Sequence, residues 1–300
     1  MSAVTSTMSN EKGISAFIRS HPLVSYFFLA YAGMWLLVAP LVMDAFELIQ
    51  LSDGMSLLLF VLSSWSGPTV AAYWVTGVLD GKAGMGRLFR RTFQFRAGLQ
   101  WYAVALFTFL SIWLAAYSFL YNGAPFAALA ANPSLLLSTF LPSVLMGLLI
   151  PSIGEEPGWR GFALPRLQAA YGPVLGTIIL GTLHGVWHLP ALFTPLLGPF
   201  TVDGFVIFVL TAAAGTFLYT WMFNNTRGSV WMAMVMHAAS NAASQLVTAL
   251  TPEDVVLNGW MKMLADGWIN VIVFGFVAFA LVIFTRGTLG YRPEQSAENQ

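Results

Sequence analysis

Residues 134–161, SLLLSTFLPSVLMGLLIPSIGEEPGWRG, open as an apolar run long enough to cross a bilayer, for which about 20 residues suffice, and close on Glu155, Glu156 and Arg160. Charged side chains make up only 9% of the chain, so each one at membrane depth has a reason to be there. A carboxylate that water cannot reach must pair, bind a metal or do proton chemistry. The apolar half of this stretch specifies the fold, and the polar half points to the site.

The rest of the 300 residues agrees with the apolar half. Hydrophobic residues make up 57%, aromatics 15%, and the mean hydropathy is +0.72, outside the soluble globular range. Strand-type alternation is absent, which argues against an outer-membrane barrel. The expected fold is all-α: a polytopic transmembrane helix bundle of about eight spans. These fall at roughly 22–43, 55–79, 99–121, 134–160, 173–194, 203–224, 228–250 and 264–285. A formal charge of zero speaks against a nucleic-acid partner, and the lack of cysteine removes disulfides, thiol catalysis and cysteine-based zinc sites. Met1 to Ser20 is polar, and Pro22 onward reads as a retained span, not a signal peptide.

Basic residues orient the bundle. Lys12 and Arg19 precede the first span, and Lys82, Arg87, Arg90, Arg91 and Arg96 fill the loop after the second. Arg160 and Arg166 follow the fourth span, Arg227 the sixth, and Arg286 and Arg292 the eighth. Of 13 basic residues only Lys262 falls on the other side, so both termini are expected in the cytoplasm. The domain reading is a cytoplasmic segment 1–20, one bundle 21–286 with its motif-bearing core at about 134–250, and a cytoplasmic tail 287–300. The arginine cluster in the second loop is most simply a topology signal that also meets lipid headgroups.

Three places within the spans carry ionisable side chains. In GEEPGWRG, Glu156 and Arg160 are four apart and share a helical face if the helix survives Pro157. Glu155 then points elsewhere, so one acid is structural and the other faces whatever occupies the bundle. In HGVWHLP, His184 and His188 lie one turn apart, and in MHAASNAAS, His237 and Asn241 do the same among small residues that permit close packing. At about 1.5 Å per residue, His237 lies roughly 13 Å, Glu155 roughly 16 Å and His188 roughly 22 Å from the cytoplasmic ends of their spans. One shared site a third to halfway across the bilayer is compatible with those depths.

A carboxylate, imidazoles and an amide in a water-poor cavity suit peptide hydrolysis. A desolvated glutamate can take a proton from water and later hand it to the leaving amine, while His and Asn donate to the oxyanion. Two histidines and one glutamate are equally a catalytic zinc set with an open fourth position. Neither a GxSxG nor an HExxH string occurs.

Taken together, GEEPGWRG, HGVWHLP and HAASN resemble the CPBP family of intramembrane proteases, which includes type II CAAX prenyl endopeptidases and bacterial proteins of the bacteriocin-immunity and lysostaphin-resistance type. The family pattern is EExxxR, FxxxH and HxxxN or HxxxD on three spans of an eight-helix bundle. The resemblance implies that Glu155 is the water-activating base, that Glu156 and Arg160 hold the site together, and that His188 binds the water or metal. It gives His237 and Asn241 the oxyanion side. A metal, if used, would rest on Glu155, His188 and His237, with zinc as the expected ion and a metal-free glutamate mechanism equally compatible. One position departs from the pattern: residue 184 is histidine where the family usually has phenylalanine. His184 is read as a packing residue or a donor behind the ligands in preference to a ligand itself. The WRG and WHLP strings look like the bacterial branch, which implies a bacterial inner (plasma) membrane.

The leading expectation is therefore an intramembrane endopeptidase that cuts a peptide or protein presented at the cytoplasmic membrane surface, with lipid as its other partner. A prenylated tail, a bacteriocin leader and a membrane-anchored peptide stay open as substrates. A non-catalytic immunity factor or scaffold would need none of Glu155, His188, His237 and Asn241. A proton-coupled transporter would be expected to show repeat symmetry, which the sequence lacks. Trp159 and Trp187 lie inside the motifs and are read as packing residues.

Overall fold

The computed structural model describes residues 13–195 and 200–293; Lys12, the rest of segment 1–12 and the tail 294–300 lie outside the described residues. Helices α1 (Ile14–Ser20), α2 (Pro22–Ala45), α3 (Asp53–Ser66), α4 (Pro68–Thr92), α5 (Leu99–Leu120) and α6 (Ala124–Ala131) form the first half. The second half holds α7 (Leu141–Gly147), α8 (Ile153–Gly158), α9 (Leu164–Trp187), α10 (Val202–Asn225), α11 (Val230–Ala249), α12 (Gly259–Met263) and α13 (Ile269–Phe284). No strand occurs among the described residues, as the composition predicts. Proline at the first turn of α2 and α4 presets the backbone where its missing N–H costs nothing.

Six helical stretches are long and apolar enough to cross a membrane: Pro22–Ala45, Asp53–Thr92, Leu99–Leu120, Leu136–Phe193, Val202–Asn225 and Gly259–Phe284. Large apolar side chains such as Phe28, Leu36, Leu137, Phe276 and Phe284 point outward and are mostly exposed, which suits hydrocarbon as the solvent. The protein is an integral membrane protein.

A bundle of about eight spans fits these six stretches, and two physical reasons separate the numbers. The fourth and fifth expected spans are one uninterrupted run, Leu136–Phe193, which is 58 residues long and divided at Gly172 (φ 76°, ψ 168°). Glycine takes that left-handed turn without a Cβ penalty, so the run doubles back instead of overshooting the bilayer. The expected seventh span, α11, is a helix but carries His237, Ser240, Asn241, Ser244 and Gln245. It is too polar for lipid and is instead wrapped by its neighbours, with residues 232–240 all buried.

The run that holds the glutamates is not a uniform α-helix. Wider π turns at Leu136–Phe140, Leu148–Ser152 and Trp159–Ala163 alternate with α7, α8 and α9. Two of them adjoin prolines: Pro151 lies within one, and Pro157, inside α8, is followed by another. A proline removes an N–H and crowds the preceding turn, and a π turn relieves that crowding without ending the helix.

Backbone-to-backbone packing fixes where α8 sits. A Cβ on Gly154 would lie 2.3 Å from Ser64 O, and one on Gly158 would lie 2.5 Å from Pro68 C. These glycines are four apart on one face, the small-xxx-small spacing that lets membrane helices touch. They seat α8 against the α3–α4 junction and so aim Glu155 and Glu156 away from it, toward α9 and α11. Gln168 and Asn224 exchange two amide hydrogen bonds (3.1 and 2.8 Å) and Thr177 meets Thr220 at 3.0 Å, which clamps α9 to α10.

One end of the bundle gathers the basic loops. Arg19 Nη1 donates to Leu79 O at 3.1 Å, Arg91 Nη2 to Gly161 O at 2.8 Å, and Arg227 Nη2 to Arg96 O at 3.2 Å. Asn224 Nδ2 donates to Leu289 O at 3.1 Å at the same end.

Candidate active site

Glu155 and Glu156 are 4% and 0% exposed, and Arg160 is 1% exposed, so water does not solvate these charges. Arg160 Nη1 donates to both Glu156 oxygens, at 2.8 and 3.0 Å. The helix therefore survives Pro157, and the i, i+4 pair forms. The guanidinium also lies 4.3 Å from the centre of the Tyr219 ring, which offers the face of a π-system to the cation. Tyr219 Oη meets Ser240 Oγ at 2.8 Å, and Ser240 Oγ donates to His237 O at 2.9 Å.

His237 Nδ1 donates to Glu156 Oε1 at 2.8 Å, which ties α11 to α8. A carboxylate behind one ring nitrogen fixes the tautomer and leaves the other nitrogen for a ligand. On the neighbouring face His184 Nε2 lies 2.9 Å from Glu155 Oε2, the imidazole N–H donating to the carboxylate. His188 Nδ1 donates to His184 O at 3.0 Å, so its Nε2 faces away from its own helix backbone. The ring centres of His184 and His188 are 5.1 Å apart, and those of His184 and His237 are 6.4 Å apart.

The adjacent acids thus have different partners: Glu156 takes Arg160 and His237, and Glu155 takes His184. Asn241, one turn beyond His237, is exposed and makes no hydrogen bond to this cluster among the described residues. The sequence pattern nominates Glu155, His188 and His237 as metal ligands. The group whose donor atoms converge is instead Glu155, His184 and His188, one atom from each lying within 4.8 Å of the others. His237 does not join that group; its Nδ1 donates to Glu156, which Arg160 already holds. Two imidazoles and a carboxylate are donors of the kind zinc takes, so the residues present fit such an ion.

Aromatic side chains wall the cluster. The ring centre of Trp159 lies 5.0 Å from that of His184, and those of Trp187 and Phe208 lie 4.8 and 5.1 Å from that of His188. Trp187 Nε1 is spent on Ala30 O at 3.0 Å, so this residue both packs and lines the site. Tyr31 Oη donates to Leu183 O, which steadies α9 one residue before His184. Four polar atoms here are buried without a protein partner: Tyr26 Oη, Ser152 Oγ, Trp159 Nε1 and Arg160 Nε. Buried polar groups are nearly always satisfied, so such a grouping is suited to hold water or a polar ligand.

The sequence pattern missed two features. Tyr219 braces Arg160 but is one of nine tyrosines with no motif around it. The contact of His184 with Glu155 joins helices 29 residues apart and follows from the turn at Gly172, which spacing alone does not reveal.

Residues 136–243 match the family model described as Type II CAAX prenyl endopeptidase Rce1-like. That segment contains every residue nominated for the site. A curated relative, CAAX prenyl protease 2 of Methanococcus maripaludis, is 27% identical over 133 residues, which is 43% of this chain and 49% of the relative. The chain therefore spans about half the length of the curated relative that it matches. Both matches bear out the resemblance to the CPBP family, carried by the segment that holds the three motifs.

Proposed function

We propose that a chain whose residues 136–243 match the type II CAAX prenyl endopeptidases is itself an intramembrane endopeptidase, cutting a peptide bond near the cytoplasmic membrane surface. The observation that carries this reading is the division of labour between the glutamates. Glu156 is saturated by Arg160 and His237, whereas Glu155 is buried with one imidazole beside it and unpartnered polar atoms around it. A buried carboxylate with capacity to spare is what a general base requires.

In this reading Glu155 takes a proton from water as the water oxygen attacks the scissile carbonyl carbon. The carbonyl π pair moves to its oxygen, and His237 as the imidazolium, with Nδ1–H held by Glu156, donates from Nε2–H to that oxyanion together with Asn241. Glu155 then returns the proton to the leaving amine as the C–N bond breaks. Asn241, exposed and without a cluster partner, has its amide available for such a role. The Glu156 carboxylate behind His237 balances the charge of that imidazolium and holds its orientation, as a carboxylate does in histidine-based hydrolases. Where zinc is held, Glu155 and His188 with a second imidazole supply the ligands, and the ion supplies Lewis-acid polarisation.

The gathering of Arg19, Arg91, Arg96 and Arg227 at one end supports a cytoplasmic location for that end, with both termini inside. The substrate in this account is a membrane-presented peptide or protein. The test is cleavage of a membrane-proximal peptide by the purified protein in lipid. Glu155→Ala and His188→Ala are expected to abolish it while leaving a folded bundle; full activity in both would remove these residues from the chemistry. Comparative proteomics of a Glu155→Gln strain would then identify the substrate as the protein that accumulates uncut.

A further inference from the structure

We propose that Glu155, His184 and His188 form a divalent-metal site that takes zinc, in which His184, not His237, supplies the third protein ligand. The inference rests on the proposed catalytic reading of Glu155 and deepens it. The donor atoms of these three residues already lie within 4.8 Å of one another. His184 and His188 sit four apart at the end of α9, so both imidazoles leave the helix on one side. His188 spends Nδ1 on the His184 carbonyl, a tether that orients the ring and leaves Nε2 as the donor, as in many metal-bound histidines.

The hydrogen bond between His184 Nε2 and Glu155 Oε2 marks where the ion enters. A metal ion seated there would take the place of the hydrogen bond, bonding to Nε2 and Oε2, while the ring carries its one proton on Nδ1 and stays a neutral imidazole. Glu155 Oε1 stays available for a water proton, so metal binding and base catalysis do not compete for the same oxygen. Three protein ligands leave a fourth tetrahedral position open. The walls formed by Trp159, Trp187 and Phe208 limit access to small ligands. His237 is outside this set because its ring nitrogens do not join the donor atoms that lie within 4.8 Å of one another. The family pattern has phenylalanine at position 184, so this ligand belongs to this chain and not to the motif.

The experiment needs no substrate. The full-length protein in detergent is stripped with chelator, offered zinc, separated by gel filtration and analysed for metal, with cobalt(II) absorption as a second readout of four-coordinate geometry. The wild type should retain one zinc per chain and give the cobalt bands. His184→Phe, which restores the family residue, and the smaller His184→Asn should both weaken zinc retention at least about tenfold, the loss that removing even an outer hydrogen-bond partner of a metal ligand produces. His237→Gln, which keeps a donor for Glu156, should retain it. No zinc on the wild type, undiminished zinc on both folded His184 variants, or loss of zinc from folded His237→Gln would overturn the proposal. Zinc uptake by a protein that cleaves nothing would sink the proteolytic reading and leave the site standing. Glu155-dependent cleavage by a protein that takes up no zinc would do the reverse.

Discussion

His237 Nδ1 stands 2.8 Å from Glu156 Oε1, joining two helices through residues 81 positions apart in the chain. The same oxygen accepts Arg160 Nη1 at 2.8 Å, so one buried atom fixes the relative positions of α8, the π turn after it and α11. A charge at 0% exposure persists only while its partners do.

Arg160→Ala should therefore act on stability as well as activity. Removing one member of a buried ion pair costs roughly 3–5 kcal/mol, because the remaining charge is stranded. The unfolding midpoint in detergent should fall sharply, and Arg160→Lys should recover only part of it, since an ammonium cannot reproduce the two-oxygen contact. An unchanged midpoint for Arg160→Ala would argue against the pair as a structural element.

Gly158→Ala should destabilise the bundle by roughly 1–3 kcal/mol, the usual cost of an added methyl group in a tight core. Its Cβ would meet the Pro68 backbone at 2.5 Å, whereas one on Gly275 would meet nothing within 4 Å. Gly275→Ala is the matched control and should be close to neutral. Equal effects at the two positions would contradict the close seating of α8 on the α3–α4 junction.

The amide pair between α9 and α10 offers a quantitative check. A double-mutant cycle on Gln168→Ala and Asn224→Ala should return a coupling of roughly 0.6–1.7 kcal/mol, the range found for hydrogen bonds between membrane helices. Additive single effects would show that the two bonds, 3.1 and 2.8 Å long, do not hold α9 and α10 together.

Asn241→Ala separates catalysis from folding, because the residue is exposed and makes no bond within the cluster. As an oxyanion donor its loss should lower kcat about 10²–10³-fold with the unfolding midpoint unchanged. An unaltered kcat would remove Asn241 from the chemistry.

Much of this arrangement is legible in the chain. The Glu156–Arg160 pair follows from i, i+4 spacing, and the helical fold follows from recurrent apolar runs. The clustering of arginines at one end follows from their places between spans. What spacing hides is contact between distant helices. Glu156 could be matched to Arg160 by counting four residues, but its pairing with His237 depends on how α7 and α8 pack on α11. Spacing places His184 a turn further from the centre of the site, as a packing residue or a donor behind the ligands, and does not show that the turn at Gly172 brings its Nε2 within 2.9 Å of Glu155. Apolar length alone does not reveal α11 as part of the bundle, because polarity and length diverge there: it is long enough to cross the bilayer but too polar to face it.

The account depends most on Glu155 as the base, and the most direct measurement is the cleavage rate of Glu155→Gln. The substitution keeps the size and a hydrogen-bonding oxygen beside His184 but removes the capacity to accept and return a proton. Purified in lipid and offered a membrane-proximal peptide that the wild type cuts, the variant should fall to background while unfolding at the wild-type midpoint. Cleavage at the wild-type rate by folded Glu155→Gln would contradict the central claim.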